Sequence, residues 1–460
     1  MKRRSFKILS GLLCLALVTL ACSISIPGQA PSEETLATSV AATFTAMAAP
    51  HSLPTEATTE VTTVAPTTEL PTATPSVATA AIVSAGRDLY VWRDGAPGVT
   101  RLTNSGDVDT AVVSPDGTLI AFVRSTEYIN YQLDLIHSDG SGLTTLISFA
   151  DFAAFPRPVD SEASIPYQLV WKPGTHTLFM NTRIQYMGPG LQVGENLYQI
   201  NADTAARSTL MKVSGNWRYG FSPDGSKMTI SHADGVDLYN SDGSLVRAGV
   251  ISHALINTAS EYQWTADPDW QADSSNIAVA IPPVEPFADT PADSTVYRVN
   301  AAGEASLLFT RAISFTSGKI ITFDPNLSHI GYSERLLPAT DNLWELHIAN
   351  IDGSAAVTIA TGYFSQLPVW STDGSHFIFS NMSGSTRQAY LGSMDGSTVL
   401  LADLTGLLDV GWLDSSRYLA TNSTGAGYSL ILGTVGSASA VLFTEPTSSG
   451  GTSLNFDTNR

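Results

Sequence analysis

Ser114-Pro115-Asp116-Gly117 and Ser222-Pro223-Asp224-Gly225 spell the same turn twice in one chain. Proline supplies a fixed φ and glycine the positive φ that a tight reversal needs. Degenerate copies stand at Lys172-Pro173-Gly174-Thr175, Gln271-Ala272-Asp273-Ser274, Asp324-Pro325-Asn326-Leu327, Ser371-Thr372-Asp373-Gly374 and Leu413-Asp414-Ser415-Ser416. An apolar residue leads into each: Val113, Trp171, Phe221, Trp270, Phe323, Trp370 and Trp412. Phe456 before Asp457-Thr458-Asn459 makes an eighth. Their spacings run 58, 50, 49, 53, 47, 42 and 44. A period this regular, stretched by insertions, means one supersecondary unit copied eight times.

Each unit has one grammar. After the turn comes a β-type run, as at 119–123, 227–231 or 376–380, then a second run, as at 132–137 or 342–348. A second tight turn follows, as at Ser138-Asp139-Gly140, Ser241-Asp242-Gly243, Asp352-Gly353 and Asp395-Gly396. Asp-Gly between apolar runs signals a hairpin. A short last strand ends the unit. Four antiparallel strands per ~47 residues make a propeller blade. The fold class read from this grammar is all-β: a propeller of eight four-stranded blades over 81–460, with seven as the alternative.

The grammar resembles the WD-like, Ser-Pro-Asp-Gly-repeat propellers of the TolB and prolyl-oligopeptidase kind. The resemblance implies a fold and little about activity, since such propellers serve many roles. It carries over no catalytic residue; the repeated turn is structural in that family.

The termini explain closure. Residues 81–103 supply three strands without an innermost one, and 453–456 reads as an innermost strand with nothing after it. Pairing 453–456 beside 81–84 closes the ring and leaves no free sheet edge.

Strand parity places the long segments, 124–131, 148–166, 182–195, 252–261, 282–294, 310–318 and 334–342, on the face opposite the Ser-Pro-Asp-Gly turns. Function gathers on variable loops held by a rigid scaffold. Tyr128, Tyr131, Phe149, Phe152, Phe155, Tyr186 and Phe287 are the candidate partner-binding residues there. The bland alternative is that these aromatics fold back as plugs over the core. The starts of the innermost strands should rim the channel, which makes Asp109, Gln168, Arg218, Asp267, Lys319, Gln366 and Asp409 the candidate mouth.

Enzyme signatures are missing: no Gly-x-Ser-x-Gly elbow, no His-Glu-x-x-His and no calcium-loop pattern occur. No catalytic residue, metal or cofactor is expected. The leading function is a non-catalytic binding or scaffolding module for a protein or glycan at the cell envelope. The alternative is an envelope hydrolase acting on peptide or glycan at the channel mouth.

The N-terminus sets the location. Lys2, Arg3, Arg4 and Lys7 precede an apolar run over 8–21. That is too short for a bilayer span of about 20 residues and reads as a signal peptide over 1–22. Cys14 and Cys22 are the chain's two cysteines. Cys22, after Ala21, resembles the acylated cysteine of a bacterial lipobox, although Thr19 and Leu20 depart from the usual pattern. The expectation is lipid attachment at Cys22, export, and anchorage on the outer face of the membrane, with plain secretion as the alternative. Residues 23–80 hold 14 Thr and 7 Pro among 58, with no Trp or Tyr. Such a stretch cannot bury enough apolar surface to offset chain entropy and reads as a stalk. Leu36, Val40, Phe44 and Met47 in it recur at helical spacing.

Net charge is −19. Residues 1–80 hold four basic and five acidic side chains, leaving 19 basic and 37 acidic for the folded part. Nucleic-acid binding requires clustered Lys and Arg to displace counterions. No such cluster follows residue 7, so nucleic acid is excluded as a partner, and the membrane is reached through the lipid alone.

Overall fold

A computed structural model describes residues 77–459 apart from 128, 187–192, 260–261, 289–291, 314, 316–318, 337–342 and 447–452. Residues 1–76, with Cys22 and the 36–47 stretch, and Tyr128 lie outside the described residues, whereas Thr79 and Ala80, read as the end of the stalk, belong to the first strand.

Eight four-stranded antiparallel blades form an all-β propeller. Blades 2 to 8 are meanders whose innermost strands are Val108–Val113, Ala163–Trp171, Trp217–Phe221, Asp269–Trp270, Ile321–Phe323, Phe364–Trp370 and Leu407–Trp412. Blade 1 is built from both ends of the chain. Asn455–Thr458 is its innermost strand, beside Thr79–Val83, Leu89–Arg93 and Thr100–Arg101. The closing register sets Ile82 opposite Phe456 and Ala81 opposite Asp457. The last strand therefore runs two residues past Phe456, and the first begins at Thr79.

The core is a ring rather than a centre. Buried apolar side chains fall into eight clusters, one at each junction between neighbouring blades. A second strand faces a blade on both sides, which is why these strands read as unbroken apolar runs. In blade 2, Leu119, Ala121 and Val123 pack toward blade 3, while Ile120 and Phe122 pack toward blade 1. Outer strands such as Arg207–Gly215 are largely exposed.

The apolar residues before the turns stitch blades together. Trp171 Nε1 donates to the Val112 carbonyl at 3.1 Å and Trp412 Nε1 to the Val369 carbonyl at 2.8 Å, each in the preceding blade. Trp370 Nε1 reaches Thr322 Oγ1 at 3.2 Å. Trp171, Phe323, Trp370 and Trp412 are buried, whereas Phe221 and Trp270 are half-buried. The turns themselves interlock around the ring: the Asp224 N–H donates to Ser274 Oγ at 3.0 Å, and His176 lies between Asp116 and Asp203 at 3.1 and 2.9 Å. The turn position that glycine fills at Gly117 (φ +75°) is occupied by Ser274 (φ +65°) and Leu327 (φ +49°) in blades 5 and 6.

Candidate functional site

Two places on the loop-bearing face gather chemistry: the channel mouth and the junction of blades 5 and 6.

At the mouth, most of the expected side chains are engaged by a neighbouring blade. Arg87, in blade 1, reaches Asp109 of blade 2 at 2.5 Å and Ser125 Oγ at 2.7 Å. Gln168 clamps Tyr219 of the next blade: its Oε1 accepts the Tyr219 N–H at 3.2 Å, and the Tyr219 hydroxyl donates to the Gln168 carbonyl at 3.4 Å. Lys319 lies 2.8 Å from Asp267 and 3.6 Å from Asp269, joining blades 5 and 6. Asp409 accepts its own neighbour's N–H, from Val410, at 2.8 Å. Gln366 Oε1 is buried and has no hydrogen-bond partner among the described residues. Arg218 is exposed. Much of this polar ring is thus inter-blade carpentry.

Burial shifts three carboxyls of the innermost strands upward. Burial raises Asp269 to about 6; Lys319 opposes this and Asp267 adds to it. Burial likewise raises Asp457 to about 6, against the hydrogen bond from the Val113 N–H. It raises Asp409 as well. Burial works against the charge of Lys319 too, but Asp269 and Asp267 outweigh it and hold its pKa above the ordinary value.

Turn carboxylates move the other way. At Asp139, Asp242, Asp352 and Asp395 the hydroxyl and then the N–H of the serine two residues on favour the ionised form. Burial opposes ionisation at Asp414, yet the N–H of Ser416 and the Arg417 guanidinium bring it down to about 2.

These opposite shifts set a stability profile. A carboxyl raised in the fold binds more protons folded than unfolded between about pH 4 and 6, so its effect on stability improves as pH falls through 6. A carboxyl lowered in the fold stabilises above its unfolded value and loses that contribution as pH falls below about 4. The melting temperature should therefore rise by roughly 1–3 °C from pH 7.5 to 5.5 and drop steeply below about pH 4. Circular dichroism melts across that range check it. Asp457→Asn should flatten the rise, and a profile flat or falling from pH 7.5 to 5.5 refutes the assignment.

The loop aromatics divide. Phe152 and Phe155 are buried, at 3% and 7% exposure, as in the alternative in which these aromatics fold back over the core. Ser148 caps a short helix, Phe149–Ala153, through a reciprocal box with Asp151. The helix turns Phe152 edge-on to Phe155 at 5.1 Å, and Phe155 stacks on Tyr198 at 4.9 Å. The segment is a lid over the junction of blades 2 and 3. Phe149, Tyr131 and Tyr186 are half-buried. Phe287 is 61% exposed.

Phe287 belongs to a pocket of about 200 Å³ at the junction of blades 5 and 6. Its walls include Pro283, Glu285 and Pro286 from blade 5's long loop, Ile313 and Phe315 from the crossing, and Arg335 and Trp344 from blade 6. Phe287 and Phe315 meet edge to face, 5.3 Å apart at 89°. Trp344 meets Tyr363 at 5.2 Å and 71°. Val284, Leu336 and Leu343, each next in sequence to a pocket residue, and Tyr363, against Trp344, are exposed. Trp344 and Arg335 were missed because they end strands. The available signal was that Arg335 lies in a long insertion on the loop face, 334–342, and Trp344 just after it. Among the described residues no group of three or more His, Cys, Asp or Glu side chains is placed to hold a metal ion.

No protein-family model matches the chain, and no curated protein does. Solved structures do. An oligogalacturonate lyase in complex with manganese is similar at 15% identity and TM-score 0.44, over 69% of this chain and 83% of that one. TolB from Acinetobacter baumannii is similar at 14% identity and TM-score 0.33, over 70% of this chain and 62% of TolB. The β-propeller domain of the Trilobed protease from Pyrococcus furiosus is similar at 14% identity and TM-score 0.41, over 62% and 83%. At these identities and scores none of them informs the chemistry of this chain. The architecture is that of a propeller, and its function has to be read from its own side chains.

Proposed function

We propose that the protein is a lipid-anchored, extracytoplasmic β-propeller that acts as a non-catalytic binding module for a protein or glycan at the cell envelope. Cys22 is its attachment point on the outer face of the membrane, and the stalk that precedes the first strand at Thr79 carries the propeller. The loop-bearing face around blades 5 to 7 makes the contact.

The observation that supports this reading is the collection of exposed apolar side chains there. Phe287, in the pocket, and Val284, Leu336, Leu343 and Tyr363, adjacent in sequence or in ring contact to pocket residues, are between 37% and 61% exposed. Exposed apolar clusters rimmed by polar residues mark interaction sites. The opposite face is made of short turns bonded to themselves and to each other. A second reading, a hydrolase at the channel mouth, draws on Asp269, whose pKa near 6 suits proton transfer.

Three variants test this. Cys22→Ala should abolish incorporation of labelled palmitate and move the chain out of the membrane fraction. Phe287→Asp should remove the species that cross-link to the full chain on the cell surface, or its signal on a glycan array, while Asp242→Arg on the turn face leaves both intact. Capture that survives Phe287→Asp but fails with Asp242→Arg overturns the assignment of faces. Cleavage of a captured peptide or glycan, lost in Asp269→Asn, replaces the binding reading with the hydrolase.

A further inference from the structure

The pocket between blades 5 and 6 is walled by ring corners rather than by one flat ring. Phe287 and Phe315 meet at 89°, and Trp344, in the same wall, meets the exposed Tyr363 at 71°. A perpendicular pair leaves a corner between the face of one ring and the edge of the other. A sugar lies flat on an aromatic face and brings several hydroxyls, each of which needs a partner once buried. This wall is largely apolar, with Pro283, Pro286, Ile313 and the three rings making up most of it. The site suits a narrow apolar group better than a sugar.

Proline fills such a corner at little cost. Its ring carries C–H groups beside the amide nitrogen, and the negative face of an aromatic ring attracts them. It has no backbone N–H, so burying it strands no donor. A proline-rich segment is already extended as a polyproline II helix, and its carbonyls make no internal hydrogen bonds. Aromatic-lined grooves take such segments because little order remains to be imposed on binding. At about 200 Å³ the space is below the roughly 300–1,000 Å³ of sites for drug-sized ligands, and takes one or two side chains of a longer segment.

Two polar groups at the pocket complete the contact. The Trp344 indole N–H has no hydrogen-bond partner among the described residues, so it can donate to a polyproline carbonyl. Glu285 is exposed and forms no ion pair among the described residues. Its carboxylate favours a Lys or Arg beside the prolines, and the folded part's excess of acidic over basic side chains attracts the same basic partner. Arg335, in the same wall, is engaged within the chain.

We propose that this pocket docks a proline-rich segment of a partner protein, in polyproline II conformation and flanked by Lys or Arg. Proline rings fill the corners at Phe287, Phe315 and Trp344, the Trp344 N–H donates to a carbonyl of the segment, and Glu285 faces the basic flank. The proposal rests on the loop-face reading above and names the partner class that this face takes.

The probe is fluorescein-labelled octaproline ending in Lys-Lys, titrated with the full chain in a maltoside detergent and followed by anisotropy. The controls are octaproline ending in Glu-Glu and a Gly-Ser peptide of equal length ending in Lys-Lys. The octaproline Lys-Lys probe should bind, and the Gly-Ser control about 10-fold more weakly or not at all. Phe287→Ala, at an exposed position, should weaken binding at least about 5-fold. Trp344→Phe keeps a ring and removes the donor, and should weaken it by about 2- to 10-fold. Glu285→Gln should narrow the preference for Lys-Lys over Glu-Glu by about 1.5- to 5-fold. No binding of octaproline, equal binding of the Gly-Ser peptide, or binding that survives both Phe287→Ala and Trp344→Phe overturns the proposal. So does a glycan-array signal lost in Phe287→Asp when no octaproline binds, since the pocket then takes a sugar. If no octaproline binds and Phe287→Asp still removes the cross-linked partner, the peptide class is wrong and the loop-face reading stands. If octaproline binds through Phe287 and Phe287→Asp leaves capture unchanged, the loop-face capture is wrong and the peptide site stands.

Discussion

Removing residues 453–460 lowers the melting temperature by on the order of 10 °C. These residues carry the innermost strand of blade 1 and three links that no other segment replaces. Asn455–Thr458 pairs with Thr79–Val83 over four residue pairs. Asp457 Oδ2 accepts the Val113 N–H of blade 2 at 2.8 Å, and Asn459 Oδ1 accepts the Thr79 N–H at 2.9 Å. Leu454 is fully buried at the junction of blades 8 and 1, with Phe456 packed against the same cluster. Losing two large apolar side chains from a core costs several kcal/mol, about 3–5 for each large truncation, and the deletion also exposes the edge of Thr79–Val83. At roughly 2 °C or less per kcal/mol for a domain this large, the shift stays in double figures or just below. Blade 8 still holds blade 1 from outside, through Arg417 to Asp94 at 2.8 Å and Glu445 to the N–H groups of Ala85 and Gly86 at 2.7 and 2.9 Å. The chain should therefore still fold. A melting temperature unchanged by the deletion would mean that the last strand does not close the ring.

Trp412→Ala costs about 3–5 kcal/mol. The indole is 6% exposed, belongs to the cluster between blades 7 and 8, and stands edge-on to Tyr418 at 5.4 Å. Its N–H is also the bond to blade 7. Trp412→Phe separates the two contributions: it keeps most of the packing and leaves the Val369 carbonyl without that donor, a loss of about 1 kcal/mol. Trp270 is the internal control. Its Nε1 is buried with no hydrogen-bond partner among the described residues, so Trp270→Phe removes an unsatisfied donor and should be near neutral. Denaturant titrations of the three variants decide the matter. Equal losses for Trp412→Phe and Trp270→Phe would show that the indole bond contributes nothing to the joint.

The burial of Phe152 and Phe155 has a local cause. Both lie in an insertion without β-pattern, where aromatic content alone suggests a contact surface. Ser148 with Asp151 three residues on is a capping box, and the Phe152–Phe155 spacing of three is one helical turn. Together those signals point to a short helix with one apolar side, and such a side is buried if a cluster lies beneath it. Phe287 lacks a local pattern of that kind and stays exposed.

What is local and repeated is legible along the chain. A Pro-Asp-Gly type turn works through the φ values of its own residues, so eight turns with alternating apolar runs announce eight blades, and the unmatched strands at the two ends announce how the ring closes. Strand parity, also local, placed the long loops on one face. The tertiary structure alone decided which side chains from different blades meet. Lys319 with Asp267, Gln168 with Tyr219, and Phe287 with Phe315, Trp344 and Arg335 are brought together by the angle between adjacent blades. That angle comes from packing the apolar clusters at eight junctions against one another. It is a sum over the whole ring, and no short stretch of chain encodes it.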